Sequence, residues 1–322
     1  MYPTSGATIR GDLNIKVEEA AQADKFFIAD QVMPPISVDT KSGTYPKLQI
    51  AAGQLLTPGS TVRAGDGSYS EVTRQWTNDT YDSLDRGLES RVDDANAKDV
   101  GRFFNLEVSE ARWTMRNVKL DREIRVKDKI FDTGAFTDAT NSAVAYTEAN
   151  IATINVPKDI IDACERVGDK GEMANTIIIP EGVLNRVRRS TLLQNFIRGT
   201  LTGELNTPIN ADSIAKAFAD HGIERCLIGR SRYNSAKKGQ AASIAKVWPV
   251  TYIWVGYVNP SASTPEDGGA GFTLVWNKEG GLYVTETYRD EKRRSNMVRV
   301  RQHTTEKITN ANAGTLITTQ YS

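Results

Sequence analysis

A chain of 322 residues can form one large domain or two ordinary ones with a sizeable core. Its 40 Lys and Arg balance its 40 Asp and Glu, so the basic excess expected of a dedicated nucleic-acid wrapper is absent. Hydrophobic residues make up 39%, low for this length, and part of the chain is therefore expected to be ordered by partners as well as by its own core.

Residues 1–34 read as an arm. MYPTSGATIRGDL has no apolar segment behind a basic start, and so reads as no signal peptide. IKVEEAAQADKFFIADQV is a short helical stretch that must stop before Pro34-Pro35. Phe26, Phe27 and Ile28 make an apolar patch on a segment with no core of its own, which should pin the arm to another surface.

In ISVDTKSGTYPKLQI, Val38, Tyr45, Leu48 and Ile50 have strand-like surroundings. Residues 51–105 are rich in Gly, Ser, Thr, Asp and Arg, with sparse apolar positions such as Val62, Tyr69, Trp76, Leu84 and Leu88. STVRAGDGSYSEVTRQW reads as two strand pieces around a Gly65-Asp66-Gly67 turn. Such a segment cannot bury much surface alone, and its alternation of charges with single aromatics predicts an extended hairpin lying on another surface. DDANAKD, at 93–99, begins like a calcium loop, but Lys98 falls on a ligand position and the required Gly is missing, so a solvated polar loop is expected.

EVSEARWTMRNVKLDREIRVKDKIFDTGAF predicts a helix of about 25 residues, roughly 37 Å long. Ala111, Met115, Val118, Val126 and Ile130 form one stripe and Trp113, Leu120, Ile124 and Phe131 a second. Acids near its start and lysines near its end suit the macrodipole, and Gly134 is a plausible stop.

PKDIIDACERVGDKG predicts a helix opened by Pro157, NTIIIP a short buried strand, and PEGVLNRVRRSTLLQNFIRG one further proline-opened helix. INADSIAKAFADHG is a helix capped by Asn210 or Asp212 and stopped by Gly222. IERCLIG, KVWPVTYIWVGYV, GFTLVWN, GLYVTETY and NMVRVRQHTTEKIT follow as strands. The fold class is α+β, and no internal repeat is present. The most apolar run, residues 247–258, is too short to span a bilayer and is broken by Pro249 and Gly256, so no membrane partner is expected.

No chemistry-bearing motif survives comparison with its structural alternative. The two cysteines, Cys164 and Cys226, cannot make a disulfide framework and read as reduced thiols. Cys226 sits among Ile223, Leu227 and Ile228, as a core strand residue does, and its nearest imidazole, His221, lies across Gly222 at a helix end. Spacings for a metal site or phosphate loop are missing, so neither metal nor cofactor is expected. Arg186, Arg188 and Arg189, and the mixed run 289–294, read as solvated faces or inter-subunit ion pairs without the aromatic interleaving of a nucleic-acid site.

The order of elements (arm, long polar hairpin, long helix, mixed domain, late return strand) resembles the major capsid proteins of tailed bacteriophages, with the Hong Kong ninety-seven capsid fold. ADKFFIADQVMPPISVDTKSGTYPKLQI resembles that family's arm leading into its extended loop, and DREIRVKDKIFDTGAF its spine helix. ANTIIIPEGVLNRVRR resembles its peripheral strand and helix, GIERCLIGRSRYNSAKKGQAASIAKVWP its axial strand, loop and Trp strand, and MVRVRQHTTEKITNANAGTLI its return strand.

The resemblance implies an arm at 1–34, an extended loop at 35–105, and a spine helix with peripheral domain at 106–199. An axial domain at 200–285 and a return strand to the peripheral domain at 286–322 complete it. It implies a structural shell protein rather than an enzyme, assembled in the host cytoplasm into hexamers and pentamers of a virion capsid. Portal, scaffolding or decoration proteins and non-specific contact with packaged double-stranded DNA are the implied partners. The subunit-interface residues it suggests are Phe26, Phe27, Tyr45, Arg63, Asp66, Arg74, Trp76, Arg86, Arg232 and Lys237. The alternatives are an encapsulin-like nanocompartment shell and a cytosolic enzyme built on Cys226 and His221. Some members of the family crosslink a loop lysine to a neighbour's asparagine, but here no lysine occurs between Lys47 and Lys98, and Arg63 near the loop tip stays protonated.

Overall fold

A computed structural model of the chain describes residues 8–9, 26–47, 62–63, 65, 67–69, 77–100, 105–200, 208–237, 239–277 and 281–321. Its strands are β1 (Thr8–Ile9), β2 (Pro35–Val38), β3 (Ser42–Lys47), β4 (Thr77–Asp82), β5 (Leu84–Asp93), β6 (Ala139–Asn141), β7 (Thr176–Pro180), β8 (Arg225–Gly229), β9 (Arg232–Asn234), β10 (Ile244–Lys246), β11 (Tyr252–Gly256), β12 (Gly271–Trp276), β13 (Val284–Asp290), β14 (Ser295–Ile308) and β15 (Gly314–Thr318). Its helices are α1 (Ala29–Val32), α2 (Asp94–Val100), α3 (Leu106–Ile130), α4 (Val156–Gly168), α5 (Glu181–Val187), α6 (Thr191–Thr200) and α7 (Ala211–Ala217).

Helix α3 has the 25 residues that its periodicity requires. The Asn105 side chain accepts from the Val108 amide and closes its first turn. Ala111, Met115 and Val118 pack on Val92, Val298 and Val300, and Val126 and Ile130 join Trp248 and Trp254. The second stripe departs from expectation at Trp113, which is 62% exposed. The helix ends before Gly134, whose amide is held by the Asp132 carboxylate in the following turn.

Two sheets flank this helix. In the first, β14 carries β5 along one edge, while β13 and β12 follow end to end along the other; β2 runs parallel to β12 and β1 caps β13. The second has the order β6-β15-β11-β7-β8. Its alternating side chains serve two cores. Ile177, Ile179, Ile253 and Val255 meet Ile160, Leu184, Ile197 and Ile214 of α4–α7. Ile178 and Trp254 meet the C-terminal half of α3.

Four expectations need correction. The boundary at 199/200 separates no two bodies, because β7 pairs with β8 and β11 across it in one sheet. The late return strand is two strands in different sheets: β14 lies under α3 and β15 pairs with β11. The single helix expected at 180–199 is two, because buried Ser190 donates to the Ile154 carbonyl at 2.8 Å and its own carbonyl restarts the chain at Gln194. The polar loop at 93–99 is mostly helix α2, opened by Asp93 accepting from the Ala95 amide.

The hairpin is present at its base, where β3 and β4 pair with Lys47 opposite Thr77. The expected loop at 35–105 nevertheless contains two strands of the first sheet, β2 and β5. Asp66, Arg74 and Trp76 lie outside the described residues.

Candidate functional site

Cys226 is buried in the apolar core with Ile214, Ala217 and Ile223. Burial, reinforced by Asp212, pushes its thiol up to about 12. Burial also pushes Cys164 up to about 11. A nucleophilic cysteine requires the opposite shift, and His221 is exposed on the far side of Gly222. Among the described residues no group of His, Cys, Asp and Glu could hold a metal ion. No described helix is long and apolar enough to cross a membrane. The expected contact surfaces are held in place by a buried junction.

The holding point is Glu123, fully buried in the C-terminal half of α3. It accepts from the Ala29 amide at 2.8 Å and the Ile28 amide at 3.1 Å, from Ser231 Oγ at 3.1 Å and from Trp248 Nε1 at 2.6 Å. Burial holds its carboxyl above the usual glutamate range, against the opposing pull of these four donors. One carboxylate thus ties the arm, the long helix and the entrance to the β9–β10 hairpin into one body. Gly229 completes the junction: a Cβ there would lie 2.3 Å from Trp248 Cγ, so only glycine lets the indole lie against β8. Arg122, the preceding residue, is 1% exposed and anchors the other side through an ion pair with Asp30 and bonds to Tyr283 at 3.3 Å and Thr273 at 3.2 Å.

The expected contact residues divide accordingly. The apolar patch of the arm splits between Phe27 and Ile28. Ile28, Ala29, Val32 and Met33 are core residues of their own chain, whereas Phe26 is 51% exposed and Phe27 half-buried. Tyr45 is 3% exposed and is a core residue of the hairpin base, donating to Asp79 at 3.0 Å; as an interface residue it is a correction. Arg63 is exposed, donates to the Gly67 carbonyl at 2.5 Å and lies 5.2 Å from the Tyr69 ring. Arg86 is half-buried and faces Gln302 in the β5–β14 register. Arg232 pairs with Glu181 at 3.0 Å, and Lys237 is exposed in the β9–β10 loop. Arg189 pairs with Glu148 and Arg289 with Asp94, each through two bonds, so the two basic runs are engaged largely within the chain.

Leu84 and Leu88 on β5, Trp113 on α3 and Ile244 on β10 are large apolar side chains outside the expected contact set, and all are at least 46% exposed. Leu84 and Leu88 fall on the β5 face that carries Val92 into the α3 core, but lie where the strand runs out from under the helix. A period-two reading of LDRGLESRV aligns these three positions, though it cannot reveal where the helix cover ends.

No protein-family model matches the chain. Over 259 residues it is 26% identical to the major capsid protein of Pseudomonas phage JBD67, covering 77% of each chain. A phage-related protein from Bordetella bronchiseptica RB50 superposes with a TM-score of 0.73 at 20% identity, covering 97% of each chain. The putative capsid protein of a prophage of E. coli CFT073 superposes with a TM-score of 0.57 at 9% identity, covering 97% of this chain and 99% of that one. These likenesses establish the fold as the Hong Kong ninety-seven capsid type.

Proposed function

We infer that this chain is the major capsid protein of a tailed phage, a structural subunit that assembles with copies of itself into the virion shell. The observation that carries this is the sequence relation to a phage major capsid protein over 259 residues, on a fold that matches a phage-related protein and a putative prophage capsid protein nearly end to end.

The geometry suits the task. A shell subunit needs a stiff body and projecting surfaces that meet different surfaces on the next copy, so that rings close. Glu123 and Arg122 stiffen the body, because they bind elements far apart in sequence to one helix. The β3–β4 pair, the β9–β10 hairpin and the β13–β14 turn carry exposed residues that such contacts can use. The contacts within hexamers and pentamers are assigned to Phe26, Phe27, Arg63, Arg86, Arg232 and Lys237, with Leu84, Leu88, Trp113 and Ile244 added for their exposed apolar area. Asp66, Arg74 and Trp76 belong to the same extended loop by sequence. The zero formal net charge allows copies to pack edge to edge without strong mutual repulsion.

The finer assignments follow from this reading. The shell is assembled in the host cytoplasm, with portal, scaffolding or decoration proteins as partners, and its contact with packaged double-stranded DNA is diffuse and non-specific. Size-exclusion chromatography with light scattering tests the reading. Species of several to many copies are expected; a well-folded monomer at every concentration and salt tried would overturn it.

A further inference from the structure

Between the arm and the start of β9 lies a cleft of about 330 Å³. Phe26, Phe27 and Leu120 give it apolar walls, and Arg116, Arg230 and Arg232 give it positive charge against Glu181, the one carboxylate among the described lining residues. The walls are fixed by the buried Glu123. Phe26 and Phe27 immediately precede the two amides that this carboxylate accepts, and Arg230 and Arg232 flank Ser231, whose hydroxyl it also accepts. Arg116 and Leu120 lie seven and three residues before Glu123 on α3, on the same side of the helix. A single buried group therefore organises both sides of the cleft, and a ligand entering it meets a preformed shape.

We propose that this cleft docks an acidic peptide segment of another polypeptide, with one large apolar side chain of that segment inserted between Phe26, Phe27 and Leu120. The argument is charge and shape complementarity. Arg232 pairs with Glu181 at 3.0 Å, and the described lining still carries Arg116 and Arg230 with no second carboxylate; that balance favours carboxylates, and a guanidinium matches a carboxylate through two parallel hydrogen bonds. Phe26 is 51% exposed at the cleft, and filling the cleft would remove that ring from water. Nucleic acid fits less well: the apolar walls offer nothing to a phosphate, and a cleft of this volume admits a side chain and not a duplex. The inference rests on the cleft alone and does not depend on the shell assignment.

The test uses the full-length protein and a fluorescein-labelled hexapeptide with four acidic residues around a central Leu-Trp, read by anisotropy. Control peptides carry Ala-Ala at the centre or Lys in place of the acids, and a 20-base-pair duplex serves as competitor. The acidic Leu-Trp peptide is expected to bind at least about tenfold more tightly than either control. Arg230→Glu and Phe26→Ala should each weaken it about tenfold, while Lys216→Glu, the same charge change at an exposed position outside the cleft, should not. Thermal melts establish that each variant is folded, and Arg230→Gln replaces the charge reversal if that variant does not fold. Equal binding of the Ala-Ala peptide, equal effects of Arg230→Glu and Lys216→Glu, or displacement of the peptide by duplex DNA whose own binding ignores Phe26→Ala would each overturn the proposal.

Discussion

The indole Nε1 of Trp248 donates to Oε1 of Glu123 at 2.6 Å, joining residues 125 positions apart in the sequence. The same carboxylate accepts from Ile28, Ala29 and Ser231, so its removal would leave several buried donors without an acceptor. Each such donor costs about 1–3 kcal/mol. Glu123→Ala is therefore expected to lower the urea-unfolding free energy of unassembled protein by at least ~3 kcal/mol. Trp248→Phe, which removes one donor, should cost less, and the double mutant should be less damaging than the sum of the two. Additive effects, or a loss below ~1 kcal/mol for Glu123→Ala, would show that the junction is incidental.

The division of the arm predicts two different truncations. Deleting residues 1–27 removes exposed Phe26 and half-buried Phe27 and should leave cooperative melting intact while impairing shell closure. Deleting 1–34 also removes Ile28, Ala29, Val32 and Met33, all at most 5% exposed. Lost core side chains cost about 2–5 kcal/mol each for the larger ones, against a typical total stability of about 5–15 kcal/mol. The longer deletion should therefore abolish the cooperative transition, which differential scanning calorimetry would record. A cooperative transition surviving the longer deletion would contradict the placement of these residues in the core.

The hairpin base should be acid-sensitive. Partial burial alone would raise the Asp79 carboxyl. Bonds from the Thr80 amide and the Tyr45 hydroxyl, with the charges of Lys307 and Lys47, outweigh that and hold it below its ordinary 3.8. A carboxyl depressed on folding adds stability above its ordinary value and loses it as pH falls through the folded value. Amide exchange in β3 and β4 should therefore accelerate relative to β7 and β11 as pH drops below about 4, and Asp79→Asn should remove most of that dependence. An unchanged acid profile in the variant would exclude Asp79 as the source.

Shells should be held together without covalent crosslinks. The interval between Lys47 and Lys98 contains no lysine, and Arg63 is engaged with Gly67 and Tyr69. Particles boiled in detergent and reductant should migrate as one band at 35.4 kDa. A ladder of multiples would refute this, and mass spectrometry of the crosslinked peptides would then show whether Lys47 or Lys98 was the donor.

The parts of the fold legible in sequence are those fixed by local pattern. The stripe from Ala111 to Ile130, the Asn210 cap and the run of isoleucines in β7 can all be read from neighbouring positions, because helical and strand periods are local. The separation of β14 from β15 into different sheets is not written in their own residues, since both are strands of ordinary composition. Arg122 and Glu123 mark the limit most clearly. In LDREIRV they resemble a solvated helix face, yet their partners lie at 28–30, 231, 248, 273 and 283. Burying a charge depends on distant partners that no local window contains. The candidate site was missed for the same reason: Phe26 and Arg232 were visible individually, but the carboxylate that brings them to one cleft was not.

Electron microscopy of the purified full-length protein tests the central claim most directly. The account predicts closed, roughly spherical shells of uniform size, with hexameric and pentameric clusters of density in class averages. Fields containing only single compact particles of monomer size, from protein whose melting is cooperative, would contradict it.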